Sequence, residues 1–102
     1  MEKTQLAYMY IVPDADPSEH KATISKSAFF NLTVVGVKDY QQAGEVAREL
    51  VNQGVQVIEL CSGFDDSGVA KVAQAVADKA AVGAVRFDCH SSMAVKSGDT
   101  IG

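Results

Sequence analysis

The 102-residue chain is poor in basic residues, poor in cysteine and proline, and free of long apolar runs: it has nine lysines and arginines, two cysteines and two prolines. Its lysines and arginines stand singly from Lys3 to Lys96 and form no basic stripe, so binding driven by counterion release from nucleic acid has no footprint here. Cys61 and Cys89 are too few to staple a disulfide scaffold and read as free thiols of a reducing compartment. No run approaches the ~18 apolar residues that cross a bilayer. The apolar stretch 6–12 lies between Glu2-Lys3 and Pro13-Asp14-Ala15-Asp16, which makes it a strand and a turn rather than an export signal. A cytoplasmic protein is the expectation.

What is present suits a single packed domain. Hydrophobic residues make up 47% and charged residues 22%, near the averages for globular proteins and far from those of disordered chains. The net charge is −4, from 13 acidic and 9 basic residues. A chain this short supplies one core, not two, so residues 1–90 are assigned to one domain and the small, polar residues 91–102 to a flexible tail.

Residues 6–12, with Tyr8 and Tyr10 among aliphatics, form a short continuous apolar run that fits a buried strand. Residues 14–21 are a turn by composition, and residues 22–30 fit either a helical turn or an edge strand. The β-branched cluster in residues 31–37 predicts a second strand. From Asp39, an N-cap residue type, Tyr40, Ala43, Ala47, Leu50 and Val51 recur at helical spacing with polar residues between them. Gly54 supplies a helix-closing left-handed position, and residues 55–61 open a third strand that should be central. Residues 62–68 form a glycine- and acid-rich loop in which Asp66 or Ser67 can cap the next helix. That helix directs Val69, Val72, Ala73, Val76 and Ala80 inward and leaves a bland exterior containing Ala70 and Ala77. Residues 82–87 complete the pattern. The alternation predicts an α/β fold: a mainly parallel four-stranded sheet with two helices, ordered β-β-α-β-α-β.

The lead-in Gly54-Val55-Gln56-Val57-Ile58-Glu59-Leu60-Cys61 with its continuation to Gly63, the segment from Val82 to Asp88, and Asp14-Ala15-Asp16-Pro17 resemble a family of small bacterial proteins, the domain of unknown function family numbered 6506. The resemblance runs from the first strand to Asp88. It departs from the expected pattern at Ser62, in place of glycine, and at Ala81, in place of proline. It implies no activity, cofactor or catalytic residue, so the chemistry must be read from the chain itself.

In an open parallel sheet, ligands sit beyond the carboxyl ends of the strands. Three loops fall there: residues 38–39, 62–68 and 88–92. Period-two alternation puts Val57, Glu59 and Cys61 on one face of the third strand and Ile58 and Leu60 on the other. Glu59 is then a carboxylate in an apolar strand, with Arg86 a partner if the last strand is its neighbour. Cys61 precedes a Ser-Gly turn before a helix, as a nucleophile does, but Asp65 and Asp66 already occupy the positive end of that helix. The same two aspartates and the lack of a loop lysine argue against a phosphate cradle. His90, Asp88 and Cys89 have no recognised metal-ligand spacing, so no metal site is assigned. Most of the aromatic residues read as core; Phe64, in its glycine loop, reads as the lid of a pocket.

The leading expectation is a homo-oligomeric binding or accessory module that holds a small molecule at Glu59, Cys61, Gly63, Phe64, Arg86 and Asp88. Two alternatives stand beside it: a small enzyme acting through Cys61 with Glu59 or His90 as proton carrier, and an assembly module without a ligand. Self-association, most simply a dimer, is expected because two helices are too few to cover a sheet that is apolar on both faces.

Overall fold

The computed structural model describes residues 3–85. The chain runs β1 (Thr4–Ile11), β2 (Lys21–Ile24), β3 (Phe30–Val37), α1 (Tyr40–Asn52), β4 (Val57–Leu60), α2 (Asp66–Val76) and β5 (Ala81–Ala84). The sheet has five strands in the order β2-β3-β1-β4-β5. β1 is parallel to β3 and β4, β4 is parallel to β5, and β2 alone is antiparallel, to β3. The α/β class and the mainly parallel sheet agree with the sequence pattern. The strand count does not, because Lys21–Ile24 forms a fifth, edge strand. Its four residues are all exposed, so no apolar alternation marked it. β4 is an interior strand as expected, held between β1 and β5, and β1 lies at the middle of the sheet.

Sheet order fixes where the helices go. The crossovers β3-α1-β4 and β4-α2-β5 step the same way across the sheet, and right-handed crossovers in one direction put both helices on one face. Burial follows that placement: Ala7, Met9 and Ile11 of β1, Val35 and Val37 of β3, and Ile58 and Leu60 of β4 are buried with Ala43, Ala47 and Leu50 of α1 and Val72 and Val76 of α2. The helices approach closely at Gly44, where a methyl would sit 3.4 Å from the Ala75 Cβ.

Local signals set the helix ends. Asp39 caps α1 as expected, its carboxylate accepting from the Gln42 amide at 2.8 Å, while the Gln42 side chain accepts from the Lys38 amide at 2.9 Å. Gly54, at φ 103°, takes the left-handed position after the helix. α2 is capped by Asp65 rather than Asp66 or Ser67: the Asp65 carboxylate accepts from the Gly68 amide and the Ser67 hydroxyl, both at 2.9 Å. Ala73, expected inside, is exposed, and Gly68 takes an inward position with Val72 and Val76. α2 ends through Ala77 and Asp78, both left-handed, at φ 49° and 68°.

Among the described residues no helix covers the opposite face of the sheet. By register and alternation it presents Leu6, Tyr8 and Tyr10 from β1, Leu32 and Val34 from β3, Ile24 from β2, and Val57 and Glu59 from β4. Glu59 is the only charged residue among the described ladder positions of that face.

Candidate functional site

Two sequence-predicted residues come together where expected, and a third group joins them. Glu59 is exposed on the open face near the carboxyl end of β4. Cys61, one alternation further on, is a half-buried free thiol whose amide donates to the Met9 carbonyl at 3.0 Å and so continues the ladder with β1. Tyr8 stands directly opposite Glu59 in the β1–β4 register, and Gly83 flanks Glu59 on the other side, in β5. The Tyr8 phenol is pushed above its ordinary value by burial first, then by the charges of Cys61 and Glu59. A phenol, a carboxylate and a thiol thus lie within electrostatic reach of one another toward the carboxyl end of β4, with open space at Gly83 and with the thiol also packed against the buried core. Such a set offers a donor, an acceptor and a polarisable sulfur to a ligand lying on an aromatic floor.

Glycines shape the surroundings. The Tyr10 ring lies across Gly36 of the neighbouring strand, so close that an added Cβ would meet Tyr10 Cζ at 2.6 Å. Gly63, expected at the ligand, has a packing role: a Cβ there would fall 2.7 Å from Ile11 Cγ2 and 3.5 Å from Cys61 Sγ. The loop can pass over the end of β1 only without a side chain.

Phe64 is not the lid that its glycine-flanked position suggested. It is buried, 6% exposed, and stacks on Tyr40 with ring centroids 5.5 Å apart and an interplanar angle of 22°. The Tyr40 hydroxyl accepts from the Asp65 amide at 3.1 Å and donates to the Gly63 carbonyl at 3.4 Å, which holds the loop 62–65 against α1 and turns Phe64 toward the helices. The amino end of α2 is occupied by Asp65, with Asp66 in its first turn, so its amides are not offered to the Cys61 thiol. Arg86, Asp88 and His90 lie outside the described residues, as does the expected tail 91–102; the Glu59–Arg86 pairing and a proton carrier at His90 fall there too.

Tyr8 is the site residue that sequence reasoning passed over, by assigning it to the core. The signal was available in β1 as the alternation of Ala7, Met9 and Ile11 with Tyr8 and Tyr10, but strand order was needed to bring Tyr8 beside Glu59.

A concavity of about 550 Å³ lies on the helix side between α1 and the segment from Asp16 to Lys21. Glu45, Glu49 and Gln42 line it with Asp16 and Lys21. The Asp16 carboxylate is engaged by the Ser18 amide at 2.9 Å and the Ser18 hydroxyl at 2.8 Å, and these bonds hold its pKa below the ordinary carboxylate value. Val35, Val46 and Leu50 form the floor of the concavity, and it lacks the thiol and phenol of the open face, so size alone does not make it the site. Among the described residues no group of three or more His, Cys, Asp or Glu is placed to hold a metal ion, and no helix is long and apolar enough to cross a membrane.

The family described as a family of unknown function, DUF6506, matches residues 4–100. No curated protein and no solved structure matches the chain.

Proposed function

From a chain that belongs to DUF6506, a family whose description assigns no activity, we propose a homo-oligomeric binding module that holds a small molecule on the open sheet face, at Tyr8, Glu59 and Cys61. The observation that supports this is the convergence of three chemically different groups toward the carboxyl end of β4, with Tyr8 of β1 opposite Glu59. In open parallel sheets that edge is where ligands collect, because loops and strand-end side chains can vary there without disturbing the core. Glu59 is an acceptor set in apolar surroundings, and an isolated polar group of that kind fixes the orientation of a ligand in an otherwise greasy site. The reading places the protein in the cytoplasm, where a free Cys61 thiol persists.

The test is a screen of small polar fragments by amide chemical shifts of the full-length protein. Fragments that bind should move Tyr8, Glu59 and Cys61 together, and Glu59→Gln should weaken them by about tenfold, the worth of one hydrogen bond to a charged group. Binding confined to the groove between α1 and Asp16, or no binding at millimolar fragment, overturns the assignment.

A further inference from the structure

We propose that the open face of the sheet is where a second copy of this chain docks, sheet against sheet, so that the partner roofs the Tyr8–Glu59–Cys61 site. The proposal deepens the self-association reading above and rests on it.

The face has the composition of an interface core. Three of the four exposed large hydrophobic residues among the described ones, Ile24 (55% exposed), Val85 (41%) and Val12 (38%), extend it outward. Ile24 pairs with Leu32 in the β2–β3 ladder, the Val12 amide donates to the Val37 carbonyl at 3.0 Å, and the Val85 amide donates to the Leu60 carbonyl at 2.9 Å. These bonds carry the strand alternation past β1 and β5 and put both valines on the helix-free side. Glu59 is the only charge among the described ladder positions there, whereas the outer side of α1 exposes Glu45, Arg48 and Glu49. Depletion of charge with retention of tyrosine is the signature of a contact surface, and an apolar patch of this extent is rare on a monomer.

The area approaches what a pair needs. With about 3.3 Å of rise per residue and about 4.8 Å between strands, two strands of eight residues and three of four give about 450 Å² of sheet in plan. Side-chain relief and the flanking residues Val12 and Val85 raise the accessible area toward the ~800 Å² per partner of a standard interface. Parallel strands apolar on both faces call for cover on both, and a flat patch meets its own copy most simply across a two-fold axis, the commonest oligomer symmetry. Two sheets packed face to face lie about 10 Å apart. Beside Glu59, at Gly83, nothing approaches within 4 Å of a missing side chain, so the gap between the sheets is widest where the polar groups are. The second copy turns a one-walled patch into an enclosed slot.

Sedimentation of the full-length protein at low micromolar concentration tests this, with two variants: Val34→Asp in the middle of the open face and Ala70→Glu on the exposed side of α2, the competing apolar surface. The expected result is a wild-type particle of twice 10.8 kDa, at least hundredfold weaker pairing in Val34→Asp, and none of that loss in Ala70→Glu. Relaxation of wild-type methyl signals by a soluble paramagnetic probe needs no variant and should spare Leu6, Leu32 and Val57. A dimer broken by Ala70→Glu and not by Val34→Asp overturns the docking face while leaving self-association standing. A wild-type monomer overturns both: with the methyls of these three residues relaxed, the face is bare; with them spared, the chain's own residues beyond Val85 cover it.

Discussion

Gly68 lies in the first turn of α2, where alanine ordinarily stabilises a helix over glycine by up to about 1 kcal/mol. Here the sign reverses. A methyl on Gly68 would sit 2.5 Å from Tyr40 Cζ and 2.6 Å from Cε1. The ring has nowhere to go: Tyr40 is 3% exposed, stacked on Phe64, and its hydroxyl is held between the Asp65 amide and the Gly63 carbonyl. Overpacking of this kind costs about 1–3 kcal/mol, and displacing the hydroxyl forfeits two hydrogen bonds of about 1 kcal/mol each. Against the helix gain, Gly68→Ala should destabilise by about 3 kcal/mol, or lower Tm by about 12–24 °C in a domain of this size. Urea unfolding of Gly68→Ala, Tyr40→Leu and the double variant isolates the contact, since in the Tyr40→Leu background the added methyl has lost its obstacle and its cost should largely vanish. A Gly68→Ala protein at least as stable as wild type would refute the reasoning.

Ile58→Asp puts a charge where the side chain is 0% exposed; its cost of several kcal/mol, against a typical stability of about 5–15, should leave no cooperative melting transition, and a soluble, sharply melting variant would contradict the core placement of β4. Ala77→Gly relieves a left-handed alanine at φ 49° and should raise the urea midpoint by the equivalent of about 0.5–1 kcal/mol; a lowered midpoint would show that the strain does not cost stability. The Asp16 pKa is lowered in the folded chain, chiefly by Ser18, so its contribution is present above the ordinary carboxylate value of about 4 and is lost as the pH falls through the lower folded value. Asp16→Asn should therefore flatten the acid limb of the stability profile and leave the slope near neutrality unchanged, as thermal melts across pH will show.

The parts of the fold visible in the sequence are those whose burial writes a pattern. β1 and β3 are continuous apolar runs, α1 has helical spacing behind Asp39, and period two already put Glu59 and Cys61 on one face and Ile58 and Leu60 on the other. β2 left its state open between an edge strand and a helical turn, because its four residues are exposed and its partners lie 8 to 14 positions along the chain, Ala22 meeting Val34. The α2 cap was ambiguous because Asp65, Asp66 and Ser67 are all capping types, and only the backbone decides among them. Phe64 misled because glycine neighbours signal a surface loop, while its burial depends on Tyr40 in another element. Tyr8 joined the site only once β1 was known to lie beside β4.

The convergence of Tyr8, Glu59 and Cys61 on one patch is tested most directly by the ionisation of Tyr8, followed by ring-carbon NMR in the wild type and in Glu59→Gln and Cys61→Ala. Its folded pKa is raised, so the unfolded chain ionises first and stability falls as the pH climbs past the ordinary tyrosine value of about 10. The expected result is a Tyr8 titration above that value in the wild type, moved back toward it in each variant as a neighbouring negative charge is removed. A Tyr8 titration unchanged by both substitutions would mean that the phenol does not feel the carboxylate or the thiol, and the three groups would not form a site.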